Sequence, residues 1–355
     1  MLKNKIGFKI FAVLLTSAVI ITMIIFPDIC KNGISRGLLI CGNVIIPSLF
    51  PFTVCILMIM NFEITAKNKV FSKILYFVFG QNFEMFSVMI FSMLGGYPVG
   101  CKLIDELYLQ NKIDKKTANI MQMYCVNAGP AFIITAVGFG VLGSKDIGII
   151  LFVSHILSSF VIAIFVSKFT RNDIKNTLKQ NIIKKKLSDI FVNSTADASS
   201  AVMSVCTFVI LFSCINSYLV YFFKGMPILK NIFYFTEVTY GITCTKNVIF
   251  VSFLLGFSGL SIWCQIFSLS KNAIPDLKLF IFGRLLHGSI SSIITFIVLK
   301  SLKIKQNVFS NNLLSSGKLY YTNAMLSASM AVMVIVLAVY IYSKNNSRKL
   351  INDMV

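Results

Sequence analysis

Charge-free apolar stretches constrain this chain more than any other feature. Gly37–Met60, Ala118–Gly143, Ile147–Ser167, Ala198–Phe223, Asn247–Ser270 and Asn323–Ser343 each run without a charged side chain. A helix needs about 20 apolar residues to cross a bilayer. Hydrophobic residues make up 56% of the 355 residues and charged ones only 13%. A soluble domain with so few charges would not stay dispersed. The fold class is therefore an all-α polytopic membrane protein, and its first partner is the lipid bilayer.

The net charge of +20 has to be read in that setting. No soluble domain offers a basic face to nucleic acid, so that function class is excluded. Lys and Arg sit in the connections, as the positive-inside rule expects. Only four of the 33 basic residues are Arg, at 36, 171, 284 and 348, and the lysine excess reads as a compositional habit of the genome. Lys3, Lys5 and Lys9 precede the apolar run Ile10–Phe26. No small-residue cleavage pattern follows, so an uncleaved first helix with a cytoplasmic N-terminus is expected. The nine cysteines form no CxxC pair and no ligand spacing with either histidine. Neither a metal nor another cofactor is expected, and Cys in apolar windows acts as a small hydrophobe.

Charge also organises the chain. Lys168–Asp197 carries Lys168, Arg171, Lys175, Lys179, Lys184, Lys185 and Lys186, and it divides the chain near its middle. The connections 61–73 and 101–117 are basic too. All three lie in the cytoplasm only if Ile74–Gly100 enters the membrane and returns, as a re-entrant hairpin turning at Phe79–Asn82. The second half repeats the pattern. "FSMLGGYPVGCKL" at 91–103 pairs with "VSFLLGFSGLSIWCQI" at 251–266, half a chain length on. "CVNAGPAF" at 125–132 and "GRLLHG" at 283–288 follow the two breaks at similar spacing. Counting crossings gives about seven transmembrane helices plus two re-entrant hairpins in an inverted repeat. The expected divisions are an N-terminal anchor at 1–36 and a first repeat at 37–167. A basic cytoplasmic linker at 168–197, a second repeat at 198–343 and a tail at 344–355 follow. Lys344, Arg348 and Lys349 in the tail favour the cytoplasm, against the outer end that the repeat assigns it.

A helix broken inside the membrane exposes free N–H or C=O groups and a dipole end. Broken helices at matching places in inverted halves point to a solute site near the bilayer midplane. The first break contributes Gly95, Gly96, Tyr97, Pro98, Gly100 and Lys102, the second Gly256, Ser258, Gly259 and Gln265. A structural kink is the competing reading of both. Asn127, Gly129 and Pro130 interrupt a charge-free window, and a buried Asn amide needs a partner, in another helix or in a solute. Ser48, between Pro47 and Pro51, is a candidate for an opposite wall. Arg284 and His287 share one helix face inside a crossing and mark either a pathway or a snorkelling cation. Glu237 is the candidate buried acid for a proton or cation. His155 reads as a packed histidine, and Asp105 and Glu106 as solvated loop acids. No nucleophile–base pair stands at helical spacing, and an enzyme is not expected.

"IPSLFPF", "GGYPVGCKL", "CVNAGPAF", "GVLGS…HILS", "EVTYG", "GFSGLSIWCQ" and "GRLLHG" occur in order from about residue 45 to 288. With these blocks the chain resembles the sporulation integral membrane protein family called YlbJ. That family lies within the wider group carrying the nucleoside-recognition or "gate" domain, which is similar to concentrative nucleoside transporters. Cys101 departs from the pattern, standing where a small residue such as Ala is expected. The resemblance implies a membrane protein of endospore-forming bacteria that moves a small anionic solute, with dipicolinic acid the leading cargo, across a forespore membrane. A proton or sodium ion as coupling ion and a homo-oligomer fit that reading. A nucleoside transporter and a non-transporting assembly protein of the spore envelope are the alternatives.

Overall fold

The first turn of the chain path is dictated by a proline. Helix α1 (Leu2–Ile25) ends at Phe26, whose backbone leaves the helical region at φ −122°, and Pro27 opens α2 (Pro27–Ile40). Proline suits a first helical position because its missing N–H has no partner there anyway. The two axes bend by 97°. Along α1 the side chains of Ile10, Phe11, Val13, Leu14 and Ile24 are exposed, which suits a helix lying against lipid. The computed structural model describes residues 2–61, 75–80, 82–166, 187–224, 226, 232–245 and 247–302, and every regular element among them is helical. The last expected crossing, the 344–355 tail and most of the 61–73 and 168–197 connections lie outside the described residues.

After α2 the chain stays helical but widens. Cys41–Ile45 is π-helical and leads into α3 (Ile46–Asn61), with the Ile46 N–H donating to the Cys41 carbonyl. Pro47 explains the change of pitch: its ring would collide with the Asn43 carbonyl in an α-turn, and it has no N–H to give. The opening half continues through α4 (Phe83–Gly95), α5 (Tyr97–Leu109) and α6 (Lys115–Tyr124). Asn82 and Asp114 cap α4 and α6 through their side chains, accepting from the Met85 and Thr117 N–H at 2.9 and 2.8 Å. A π-helical stretch, Ala131–Val141, precedes α7 (Lys145–Val166). The other half consists of α8 (Leu187–Phe222), the short α9 (Val238–Cys244), α10 (Val248–Phe257), α11 (Gly259–Leu269) and α12 (Leu277–Ser301). Residues 187–197, assigned above to the linker, form the start of α8.

Four segments among the described residues are long and apolar enough to cross a membrane: Lys145–Val166, Leu187–Phe222, Val248–Leu269 and Leu277–Ser301. The bent pair α1–α2 makes a fifth if it counts as one span. The chain is thus a multi-pass helical protein with four or five candidate spans among the described residues; the seven or so counted from sequence include Asn323–Tyr342, which lies outside them. Two physical reasons set the count among the described residues. The window Ala118–Gly143 is no single helix, because α6 stops at Tyr124 and Cys125–Gly129 is non-helical. At 13 residues, α4 is about 20 Å long, short of a 30 Å hydrocarbon core.

Close backbone approach assembles the bundle. A Cβ on Gly33 would lie 2.6 Å from the Cys214 Cα, and one on Gly37 would lie 2.7 Å from the Ile210 Cα. This Gly-xxx-Gly pair lets α2 lie directly on α8. On the far side a Cβ on Gly256 of α10 would lie 2.6 Å from the Gly288 Cα of α12. The connection between α11 and α12 is anchored by the opening half. The Asp105 carboxylate accepts from the Asn272 and Ala273 N–H groups at 2.7 and 2.6 Å and from the Asn272 amide at 2.8 Å. Asp105 therefore lies buried within α5 and is not a solvated loop acid, because the turn beside it has N–H groups with no helical acceptor. Replacing Gly37 by Val should push α2 off α8 and cost about 1–3 kcal/mol. Gly140→Ala, which meets nothing closer than the Thr135 carbonyl at 3.4 Å, should be neutral. Thermal unfolding of the two variants in detergent checks the contrast.

Candidate functional site: a buried polar centre

The two helix breaks touch each other. Helix α4 stops because Gly96 takes φ +82° and ψ −179°, a conformation that a side chain would strain, and α5 restarts at Tyr97 with Pro98 in its first turn. Helix α10 stops because Ser258 and Gly259 both turn left-handed, at φ 70° and 74°. That turn deprives the Leu255 carbonyl of its helical donor, and the Tyr97 hydroxyl supplies one at 2.7 Å. Gly95, Gly96, Tyr97, Pro98 and Gly100 are all buried. Gly96 lies against Gly129, and a Cβ on Gly100 would lie 1.8 Å from the Cys125 carbonyl oxygen. Only a residue with no side chain fits there.

The "CVNAGP" segment is thereby pressed onto the first break, and its backbone is held by side chains from two helices, α12 and α7. The Arg284 guanidinium, on α12, donates to the carbonyls of Gln122, Met123 and Val126. Arg284 is fully buried and does not snorkel, and no carboxylate pairs with it among the described residues. The partial negative charge at the C-terminal end of α6 takes that place. Asn127 donates to the Ser92 hydroxyl at 2.9 Å and to the Tyr124 carbonyl at 2.8 Å. The Ala128 N–H donates to His155 Nε2 at 3.0 Å.

His155, on α7, stacks on His287, on α12, with ring centroids 4.3 Å apart and planes 29° from parallel. His287 Nε2 lies 3.0 Å from the His155 carbonyl. A carbonyl only accepts, so His287 carries its proton on Nε2 when neutral; His155 Nε2 is itself an acceptor and leaves the proton on Nδ1. Both Nδ1 atoms, Arg284 Nε, Asn127 Oδ1, Gln122 Oε1 and Ser154 Oγ are buried with no hydrogen-bond partner among the described residues. They include both donors and acceptors. One turn further along α12 the polar face continues: the Ser291 and Ser252 hydroxyls meet at 2.8 Å, and Thr295 donates to Ser252 at 2.8 Å. Arg284, His287, Ser291 and Thr295 form a fully buried stripe, while Phe282, Leu285, Ile293 and Phe296 are exposed. Such an inside-out helix belongs in lipid.

The structure distributes the remaining candidates differently. Ser258 donates to the Phe257 carbonyl at 2.6 Å, and Gln265 is buried in α11 with its amide 3.4 Å from the Ser261 hydroxyl. Gly256 sits against Gly288 and the His287 carbonyl carbon. Pro130 is half-buried at the mouth of the π-helical stretch. Ser48 lies within α3. Lys102 is partly exposed and pairs with Asp197 of α8 at 3.0 Å, so its charge is neutralised away from Arg284. Glu237 is buried, but its two oxygens accept from the Thr239 and Tyr240 N–H groups at 3.0 and 2.6 Å, capping α9. Sequence reasoning missed Gln122, Ser154, Ser252, Ser291 and Thr295, and read His155 only as packing. A polar residue every third or fourth position from 284 to 295, in an otherwise apolar helix, was the available signal.

These features define a multi-pass integral membrane protein with a charged, polar centre between two broken helices. Over 333 aligned residues, covering 79% of this chain and 80% of the relative, it is 24% identical to "Sporulation integral membrane protein YlbJ" of Bacillus subtilis (strain 168). The chain is a homologue of that protein, and the match supports the YlbJ family that its motif blocks resemble. No family model and no solved structure matches it. Tyr97→Phe should leave the Leu255 carbonyl buried without a donor and cost about 1–3 kcal/mol. The unfolding midpoint in detergent should fall while helix content by circular dichroism stays unchanged.

Proposed function

We propose that this protein is a sporulation-associated transporter that moves a small anionic solute across a forespore membrane. The observation that supports it is Arg284, a fully buried cation held by backbone carbonyls and the Phe280 ring, with no carboxylate partner among the described residues. An unpaired charge at membrane depth is costly and marks a solute path. A small anion supplies the missing countercharge, and the Arg284 Nε–H and the His155 Nδ1–H are donors without a partner among the described residues. Dipicolinic acid, a planar dianion, fits this donor set and follows from the family resemblance. The relative is named a sporulation protein, which supports the setting. The finer architecture belongs to the same proposal: about seven crossings and two re-entrant hairpins, arranged as an inverted repeat around a midplane site. A proton or sodium ion drives the movement, and the protein catalyses no covalent reaction.

A second reading has its own observation. Most Arg284 donors and both helix breaks are already engaged by backbone groups, as a rigid assembly protein of the spore envelope would require. Uptake of labelled dipicolinate into liposomes holding the purified full chain separates the two, with a nucleoside as control. Transport predicts saturable dipicolinate uptake that falls by an order of magnitude or more in His287→Ala and in Arg284→Lys, with both variants still monodisperse. Nucleoside uptake in place of dipicolinate would select the nucleoside transporter. No uptake of either solute through folded protein would overturn the transport reading.

A further inference from the structure

We propose that Cys30 and Cys214 are a disulfide-forming pair that staples α2 to α8 on the extracytoplasmic face of the membrane. Their sulfur atoms lie 3.6 Å apart, closer than the sum of two sulfur radii plus any intervening atom allows, and both are free thiols. The approach is built in by Gly33, one turn after Cys30, whose Cα side faces the Cys214 Cα directly. The two sulfurs therefore stand in van der Waals contact, about 1.5 Å beyond bonding distance, which puts a bridge within reach.

The place of the pair in the bilayer decides its chemistry. Cys214 lies about 40 Å along α8 from Leu187, a full bilayer away. Leu187 follows the basic connection that contains Lys184, Lys185 and Lys186, which the positive-inside rule assigns to the cytoplasm. The Cys30–Cys214 end is then extracytoplasmic, where disulfides persist. Aromatic side chains mark this end as an interface. The Tyr218 hydroxyl donates to the Phe26 carbonyl at 3.0 Å, and the Phe26 ring packs on Tyr221 and Phe222. Asp28 and Lys31 flank Cys30, and Cys30 is partly exposed, so an aqueous reagent reaches it. A second couple, Cys41 of the π-helical stretch and Cys206 of α8, is buried at both residues, with Cys41 Sγ 3.6 Å from the Cys206 carbonyl. Nothing aqueous reaches that couple, and it stays reduced.

The oxidant is a low-molecular-weight disulfide. The Cys30 thiolate attacks it, forming a mixed disulfide and releasing one thiolate. The Cys214 thiolate then attacks the Cys30 sulfur, forming the protein disulfide and releasing the second thiolate. Each protein thiol gives up one proton and each released thiolate takes one, so two protein thiols are oxidised and one reagent disulfide is reduced.

The test uses membrane vesicles containing the full chain, reduced with dithiothreitol, desalted and incubated with oxidised glutathione. The protein is then denatured and its free thiols are labelled with a polyethylene-glycol maleimide. Wild type should lose a pair of labelled thiols, recovered with dithiothreitol, and mass spectrometry should find the Cys30 and Cys214 peptides joined. Cys30→Ser and Cys214→Ser should show no paired loss, and Cys41→Ser should still show it. The stapled wild type should unfold at a higher temperature than its reduced form. No oxidation in wild type, glutathione retained on Cys30, a Cys41–Cys206 link or a disulfide-linked dimer would each overturn the proposal.

Discussion

The contact between the Arg284 guanidinium and the carbonyls that close α6 is the constraint on which the centre of the molecule depends. A helix that ends inside a membrane leaves several carbonyls with no water to satisfy them. Here the chain beyond α6 runs non-helically through "CVNAG", so those carbonyls cannot be recovered by a further turn. Arg284 answers with a planar fork of donors that never deprotonates, and the dipole at the end of α6 offsets its charge in return. Each group makes the other tolerable. A lysine has the charge but not the fork, and a neutral amide has the donors but not the charge.

That exchange joins parts of the chain that are far apart in sequence. Arg284 ties α12 to the end of α6, Tyr97 ties the first break to the second, and Asp105 holds the turn before α12. In each case a side chain of one half satisfies backbone groups of the other that secondary structure has left open. Bonds of this kind suit a bilayer, where apolar burial does little to drive helices together and an unsatisfied backbone group is expensive. Glycine supplies the remaining adhesion by letting backbones meet, at Gly33 and Gly37 against α8 and at Gly256 against Gly288.

Polarity is consequently inverted across the molecule. The exposed surface of α1, α7 and α12 is apolar, while serine, histidine and arginine are sealed inside. The interior stripe on α12 continues from the guanidinium through the stacked imidazoles to a hydroxyl chain at Ser291, Ser252 and Thr295. Such a row costs stability in lipid unless its members satisfy one another, and most of them do. The exceptions along that row are Arg284 Nε and the Nδ1 atoms of the two stacked histidines, without partners among the described residues.

The residues alone determined the properties that depend only on local length and local backbone chemistry. Runs of uncharged residues require a membrane, and the helices break at Gly95-Gly96 and at Ser258-Gly259, because glycine and proline act within a turn of where they stand. The approximate residues of the centre were legible for the same reason: Asn127 and Arg284 are conspicuous polar groups in apolar windows. Partnership was not legible. Lys102 had the look of an anion ligand and pairs with Asp197, and Glu237 had the look of a buried acid for a proton or cation and caps α9. His155 and His287 stand far apart in sequence, and only the packing of α7 against α12 stacks them. Charge and hydrogen-bonding capacity belong to a residue, whereas which face meets which is a property of the packed bundle. Only the tertiary structure could decide that.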